Sequence, residues 1–148
     1  MSEATKTAIE AMEAWVTEEL NPVDIEERVR DLYDEQFHGN ELANVCGVRP
    51  SKVIEDLSPT TFRCACADYS GTADDLYEIG SEYYDQKEVD AKAEEYIEEL
   101  EIELEDMEEE RDELEEDGGS NDAGRIAELK TMIAEATEKI AACNRHAW

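Results

Sequence analysis

At 148 residues with 41% hydrophobic content, the chain can bury one modest core or fill one elongated domain, and nothing requires two. Forty-two acids against 13 bases give a net charge of −29, which weighs against a grip on nucleic acid, since each phosphate would repel the protein instead of releasing a counterion. No run approaches the roughly eighteen apolar residues of a membrane span, and the charged start MSEATKTAIEAMEAW lacks a signal peptide's apolar stretch, so the expected location is cytoplasmic.

The first helix is expected over about Glu3 to Leu20, with Ile9, Met12, Val16 and Leu20 as its apolar stripe and Trp15 beside it. In NPVD, Asn21 reads as an N-cap, Pro22 as the first helical position and Asp24 as a first-turn acid. The helix so opened turns Ile25, Val29, Leu32 and Tyr33 inward, and His38 and Gly39 close it.

The stretch from Asn40 to Gly71 admits two readings. Ala43, Gly47 and Val53 stand at helix-turn-helix offsets, and the second helix, PSKVIEDL, would offer Ser51 and Lys52 to a phosphate. It also carries Glu55 and Asp56, in a region of net charge −14. In the other reading, Leu42 to Val48 form a short strand or hairpin, followed by one helix from Ser51 and another from Ser58 and Pro59. In this second form Pro50, Ser51, Leu57, Pro59, Phe62, Arg63, Cys64, Asp68 and Tyr69 make a pattern that resembles small uncharacterised acidic proteins of phages and prophages. The resemblance covers about a fifth of the chain and implies a viral or mobile-element origin, with the host cytoplasm as the place of action.

TADD from Thr72 reads as a capping box that starts a short helix, which Gly80 interrupts. Tyr69, Tyr77, Tyr83, Tyr84 and Tyr96 crowd one acid-rich span. Either they pack at a junction, or some of them anchor a basic partner, and Tyr83 and Tyr84 are the candidates for the latter.

The charge is concentrated farther on. Residues 1–93 hold 22 acids and 8 bases, residues 94–117 hold 16 and 1, and residues 118–148 hold 4 and 4. A saline habitat would spread acidity over every exposed face, and the neutral stretch 118–148 argues against it. Ala93, Ile97, Leu100, Leu104, Met107, Arg111 and Leu114 alternate spacings of four and three, a heptad seam with Arg111 its one polar member. Ile126, Leu129, Ile133, Ala136, Ile140, Cys143 and Ala147 mirror it. A reversal about residue 120 sets Leu114 opposite Ile126, Arg111 opposite Leu129 and Met107 opposite Ile133, and so on to Ala93 opposite Ala147. Gly118, Gly119, Asn121 and Asp122 supply turn chemistry, with Asn121 or Asp122 as the next N-cap.

The expected fold is therefore mainly α: an N-terminal helical domain over 1–80 with room for a short β-hairpin, then an acidic antiparallel coiled-coil hairpin over 81–148 that turns at 117–124.

Little in the sequence points to catalysis. His38 and His146 have no convergent nucleophile, and Cys64 and Cys66 on a helix point to different sides, so a zinc site with Cys46 is disfavoured and the thiols are expected to be free. No calcium loop is present in the sequence, and no cofactor is expected. The acidic segment reads either as a solvated helix face or as a polyanion imitation. Its 24 residues span roughly 36 Å with one net charge per about 2.4 Å, against about 1.7 Å in B-DNA. The expectation is a non-enzymatic DNA mimic that fills the nucleic-acid groove of a basic host protein, such as a CRISPR effector or restriction nuclease. Glu94, Glu98, Glu101, Glu105, Glu108, Glu109, Asp112, Glu115, Tyr83 and Tyr84 would make the contacts. The alternative is an assembly protein that oligomerises, for instance as a homodimer, or docks on another helical protein.

Overall fold

The computed structural model describes residues 2–37, 49–118 and 122–148. Helices α1 (Glu3–Glu19), α2 (Ile25–Gln36), α3 (Pro50–Leu57) and α4 (Pro59–Thr72) precede strands β1 (Leu76–Ile79) and β2 (Glu82–Asp85), and helices α5 (Gln86–Asp117) and α6 (Ala123–Arg145) follow. The protein is mainly α. No helix among the described residues is long and apolar enough to cross a membrane.

The chain divides into two compact units, Met1–Leu20 with Lys87–Trp148, and Asn21–Gln86. This division differs from the expected break near residue 80, because α1 packs with the hairpin. Ser2 caps α1, its Oγ accepting from the Thr5 N–H at 3.2 Å, and the helix buries Ala8, Met12 and Val16. The Cys143 thiol on α6 donates to the Ala8 carbonyl at 3.8 Å, a close approach that the small Ala8 permits. Toward the other end of α1, Trp15 meets Tyr96 of α5 with ring centroids 5.5 Å apart, and the Lys92 ammonium lies 5.7 Å from the Trp15 ring. The base of this unit is thus three helices thick.

Toward the turn, beyond the reach of α1 against Glu135 and Glu138 of α6, α5 and α6 face each other. Leu104, Met107 and Leu114 are half-buried there, while Leu129 remains fully buried and Ile133 nearly so. Two ion pairs cross between the helices, Glu110–Arg125 and Glu115–Lys130, each at 3.0 Å. Their midpoints fall on either side of residue 120, which is the register the two seams imply. Gly118, at φ +60°, ends α5 in the left-handed conformation usual after a helix. Asp122 occupies the N-cap position of α6 without a side-chain hydrogen bond, and Asn121 lies outside the described residues. Ala147 is exposed, so the last expected seam position is not buried.

The second unit departs from expectation in several places. Asp24, not Asn21, caps α2, its Oδ1 accepting from the Glu27 N–H at 3.1 Å. The Val23 N–H instead donates to the Tyr83 carbonyl at 2.6 Å, so a helix opening at Pro22 would forfeit that bond. Val29 is buried as expected, but Leu32 is 50% exposed. His38, Gly39 and the whole 42–48 segment lie outside the described residues. Helices α3 and α4 each begin with proline at N1, where the missing N–H costs nothing.

Thr72 does not open a helix; it closes α4, and its hydroxyl donates to the Asp68 carbonyl at 2.7 Å. The following LYEIGSEYYD forms an antiparallel hairpin with Ile79 opposite Glu82. Gly80 has φ +68° and Ser81 does not have positive φ, the signature of a type II′ turn. Alternating apolar and aromatic residues around Gly-Ser favour that hairpin, and they override the local cap signal.

Candidate partner-binding face

Away from the seam, residues 94–117 of α5 are acidic everywhere except Tyr96 and Ile102. Packing separates these two: Tyr96 is buried against Trp15, while Ile102 is 54% exposed amid carboxylates. Glu94, Glu98, Glu101, Glu105, Glu109, Asp112 and Glu115 are exposed and Glu108 is half-buried. Each of Glu94, Glu98, Glu101, Glu105, Glu108, Asp112 and Glu115 directly follows a seam residue, so the heptad that buries the seam also lines up these acids along one flank.

Cations reach few of them. Lys92 pairs with Glu95 at 2.7 Å, Arg111 with Asp112 at 3.0 Å, Arg125 with Glu110 and Lys130 with Glu115. Of the sixteen acids, these four are ion-paired and the other twelve make no direct ion pair among the described residues, though Lys92 attracts Glu99 at longer range. Over about 36 Å of helix that leaves one unpaired carboxylate per roughly 3 Å. Helix α6 is close to neutral by contrast, with Glu128, Glu135 and Glu138 against Arg125, Lys130, Lys139 and Arg145.

The two candidate tyrosines fare differently. They alternate along β2, and Tyr84 is 5% exposed, so its ring is spent on packing and is withdrawn from the candidate surface. Tyr83 is half-buried and its carbonyl accepts from Val23. The Tyr77 hydroxyl accepts from Gln86 Nε2 at 2.8 Å. Packing therefore claims most of the tyrosine cluster.

In the second unit the described cations are largely neutralised in place. Arg30 lies 5.4 Å over the buried Phe62 ring and makes a two-pronged pair with Glu55, at 3.1 and 3.0 Å, with Glu26 and Glu27 beside it. Hydrogen bonding to Arg30 holds the Glu55 carboxyl below its usual range. Arg49 bonds Asp34 at 2.7 Å and also contacts Glu27 and Asp31. Burial works against the Asp34 charge, but the Ser51 N–H and the Arg49 guanidinium outweigh it and lower its pKa. This network escaped the sequence reading. Glu26 and Glu27 stand at helical spacing from Arg30, but the partnership with Glu55, 25 residues away, has no local signal.

The helix-turn-helix reading loses its phosphate contacts. Ser51 is fully buried, Lys52 is held by Asp56 at 3.0 Å, and Val53 is 42% exposed where the motif needs it inside. Ala43 and Gly47 lie outside the described residues.

Among the described residues no group of His, Cys, Asp and Glu has a metal-binding arrangement. Cys64 is exposed, Cys66 half-buried and Cys143 buried, while Cys46 and His38 lie outside the described residues. Burial raises the pKa of the Cys66 and Cys143 thiols, which keeps them protonated and poor nucleophiles. His146 packs edge-on against Trp148 with Nε2 3.4 Å from a Glu13 oxygen, a contact that is an ion pair only when the imidazole is protonated.

No family model, no curated protein and no solved structure matches the chain.

Proposed function

We propose that the chain is a DNA-mimicking inhibitor whose α5 face occupies the nucleic-acid groove of a basic host protein. The observation that carries this reading is the row of unpaired carboxylates on a helix whose apolar seam is satisfied within the chain. A helix in need of solvation alone gains a few tenths of a kcal/mol from each Glu–Lys pair four apart, and α5 forgoes that gain along its outer surface. Glu94, Glu98, Glu101, Glu105, Glu108, Glu109, Asp112 and Glu115 meet the lysines and arginines that otherwise hold phosphates, with Asp112 and Glu115 first released from Arg111 and Lys130. Long-range attraction steers the encounter, so binding weakens with salt. The resemblance to phage and prophage proteins supports the concrete form, an anti-CRISPR or anti-restriction protein acting in the host cytoplasm.

The assembly reading would use Leu100, Leu104 and Met107, which this chain spends on its own α6. What remains exposed for it on the hairpin includes Ile102 and Met132.

The test is retention of host proteins on the tagged chain at low salt, followed by elution with salt and with competing DNA. A nucleic-acid-binding protein that DNA displaces is expected, and it should be lost when Glu101, Glu105, Glu108 and Asp112 are all changed to Lys. Lysine at 105 and 112 faces Glu109 and Glu116 four residues on, and the pairs 101/105 and 108/112 are like-charged before and after the change, so the helix persists and the variant remains informative. Undiminished retention by the quadruple variant sinks the mimicry.

A further inference from the structure

The β-hairpin has two outer edges, and they differ. Three observations fix which backbone groups face outward. A two-residue loop closes on a hydrogen-bonded pair, here Ile79 and Glu82. The Gln86 N–H donates to the Asp75 carbonyl at 2.9 Å, continuing the same alternation past the strands. The Tyr83 carbonyl accepts from Val23, so Tyr83 points away from β1. By parity, Leu76 and Glu78 turn their N–H and C=O groups away from β2.

The outer edge of β2 is thus engaged by the Val23 backbone, whereas Leu76 and Glu78 on β1 have no backbone partner on their outward side among the described residues. We propose that the β1 edge accepts an extended basic segment of another protein as an added antiparallel strand. Backbone pairing to Leu76 and Glu78 supplies the affinity. Charge selects the occupant: Asp74, Glu78 and Glu82 are exposed and have no ion-pair partner among the described residues, while the cation close by, Arg28, is held by Asp75 at 3.5 Å and Asp85 at 3.7 Å. A lysine or arginine on the incoming strand stands beside Glu78, and residues alternating with it lie on the face of Tyr77 and Ile79. A second copy, carrying the same −29, is the worst-suited occupant. This site is independent of the α5 face.

The probe is a Lys-Val-Lys-Val-Lys peptide, capped at both ends, titrated into the full chain and followed by amide NMR and hydrogen exchange. A control peptide of the same charge, N-methylated at alternate residues, cannot pair. The unmodified peptide is expected to shift the Leu76 and Glu78 amides and slow their exchange at least about tenfold, with the control binding about tenfold more weakly. Glu78→Pro removes an outward N–H while leaving the inward bonds of Tyr77 and Tyr84, so it should lose the peptide yet keep the hairpin's cross-strand signals. Equal binding of both peptides, protection elsewhere, no binding, or protection that grows with protein concentration in the absence of peptide overturns the proposal. Charge reversal on α5 should leave the effect unchanged, which separates this site from the inhibitor reading.

Discussion

Leu129 is fully buried on the seam side of α6, opposite Arg111 in the register of the two seams. Leu129→Ala removes three carbons, a transfer loss of about 2.4 kcal/mol at 0.8 per methylene. The void adds to that, and large-to-small changes of this kind in cores cost roughly 2–5 kcal/mol. The Arg111 stem is flexible and can fill part of the space, so about 3 kcal/mol is expected. Both tryptophans, Trp15 and Trp148, belong to the same unit as the hairpin, so tryptophan fluorescence during urea unfolding reads that unit. At an ordinary slope of roughly 1–3 kcal/mol per M, the midpoint should fall by about 1–3 M with the slope unchanged. Leu32→Ala, at a half-exposed site, is the contrast and should cost no more than about 0.5 kcal/mol by circular dichroism. If Leu129→Ala moves the fluorescence transition by less than about 0.5 kcal/mol, the two seams do not close on each other and the account of α5 as an acidic face backed by α6 fails.

Two further outcomes follow from the second unit. Gly80 has open space around it but φ +68°, so Gly80→Ala should cost about 1 kcal/mol through strain alone, read as weakened cross-strand signals between Tyr77 and Tyr84. Asp34 has a pKa below its unfolded value, so its contribution is fully present above about pH 4 and disappears as pH falls through the lower folded value. Wild type should therefore lose more melting temperature between pH 5 and pH 2.5 than Asp34→Asn does, by circular dichroism; equal losses would remove Asp34 from the acid response.

The hairpin register could be read from the chain because a coiled-coil seam is periodic and local: each spacing of three or four sets one contact, and the turn residues set the centre. The acids flanking the seam were legible for the same reason. The β1–β2 turn carried its signal too, in Gly80-Ser81 between alternating residues, but Thr72 offered a competing helix cap that only the fold could refuse. Tyr83 and Tyr84 were indistinguishable in sequence, and the two-residue repeat of a strand sent one partly outward and buried the other.

Spacing along the chain was enough for the mainly helical class, the two long helices, their pairing and the concentration of charge on one of them, since each of these is a local or periodic property. The meeting of distant segments decided that α1 joins the hairpin, that Asp24 displaces Asn21 as a cap, that Arg30 meets Glu55, and that no backbone among the described residues pairs with the outward side of β1. Those outcomes depend on which surfaces meet across long separations, where shape and unsatisfied hydrogen bonds compete and no local pattern records the winner.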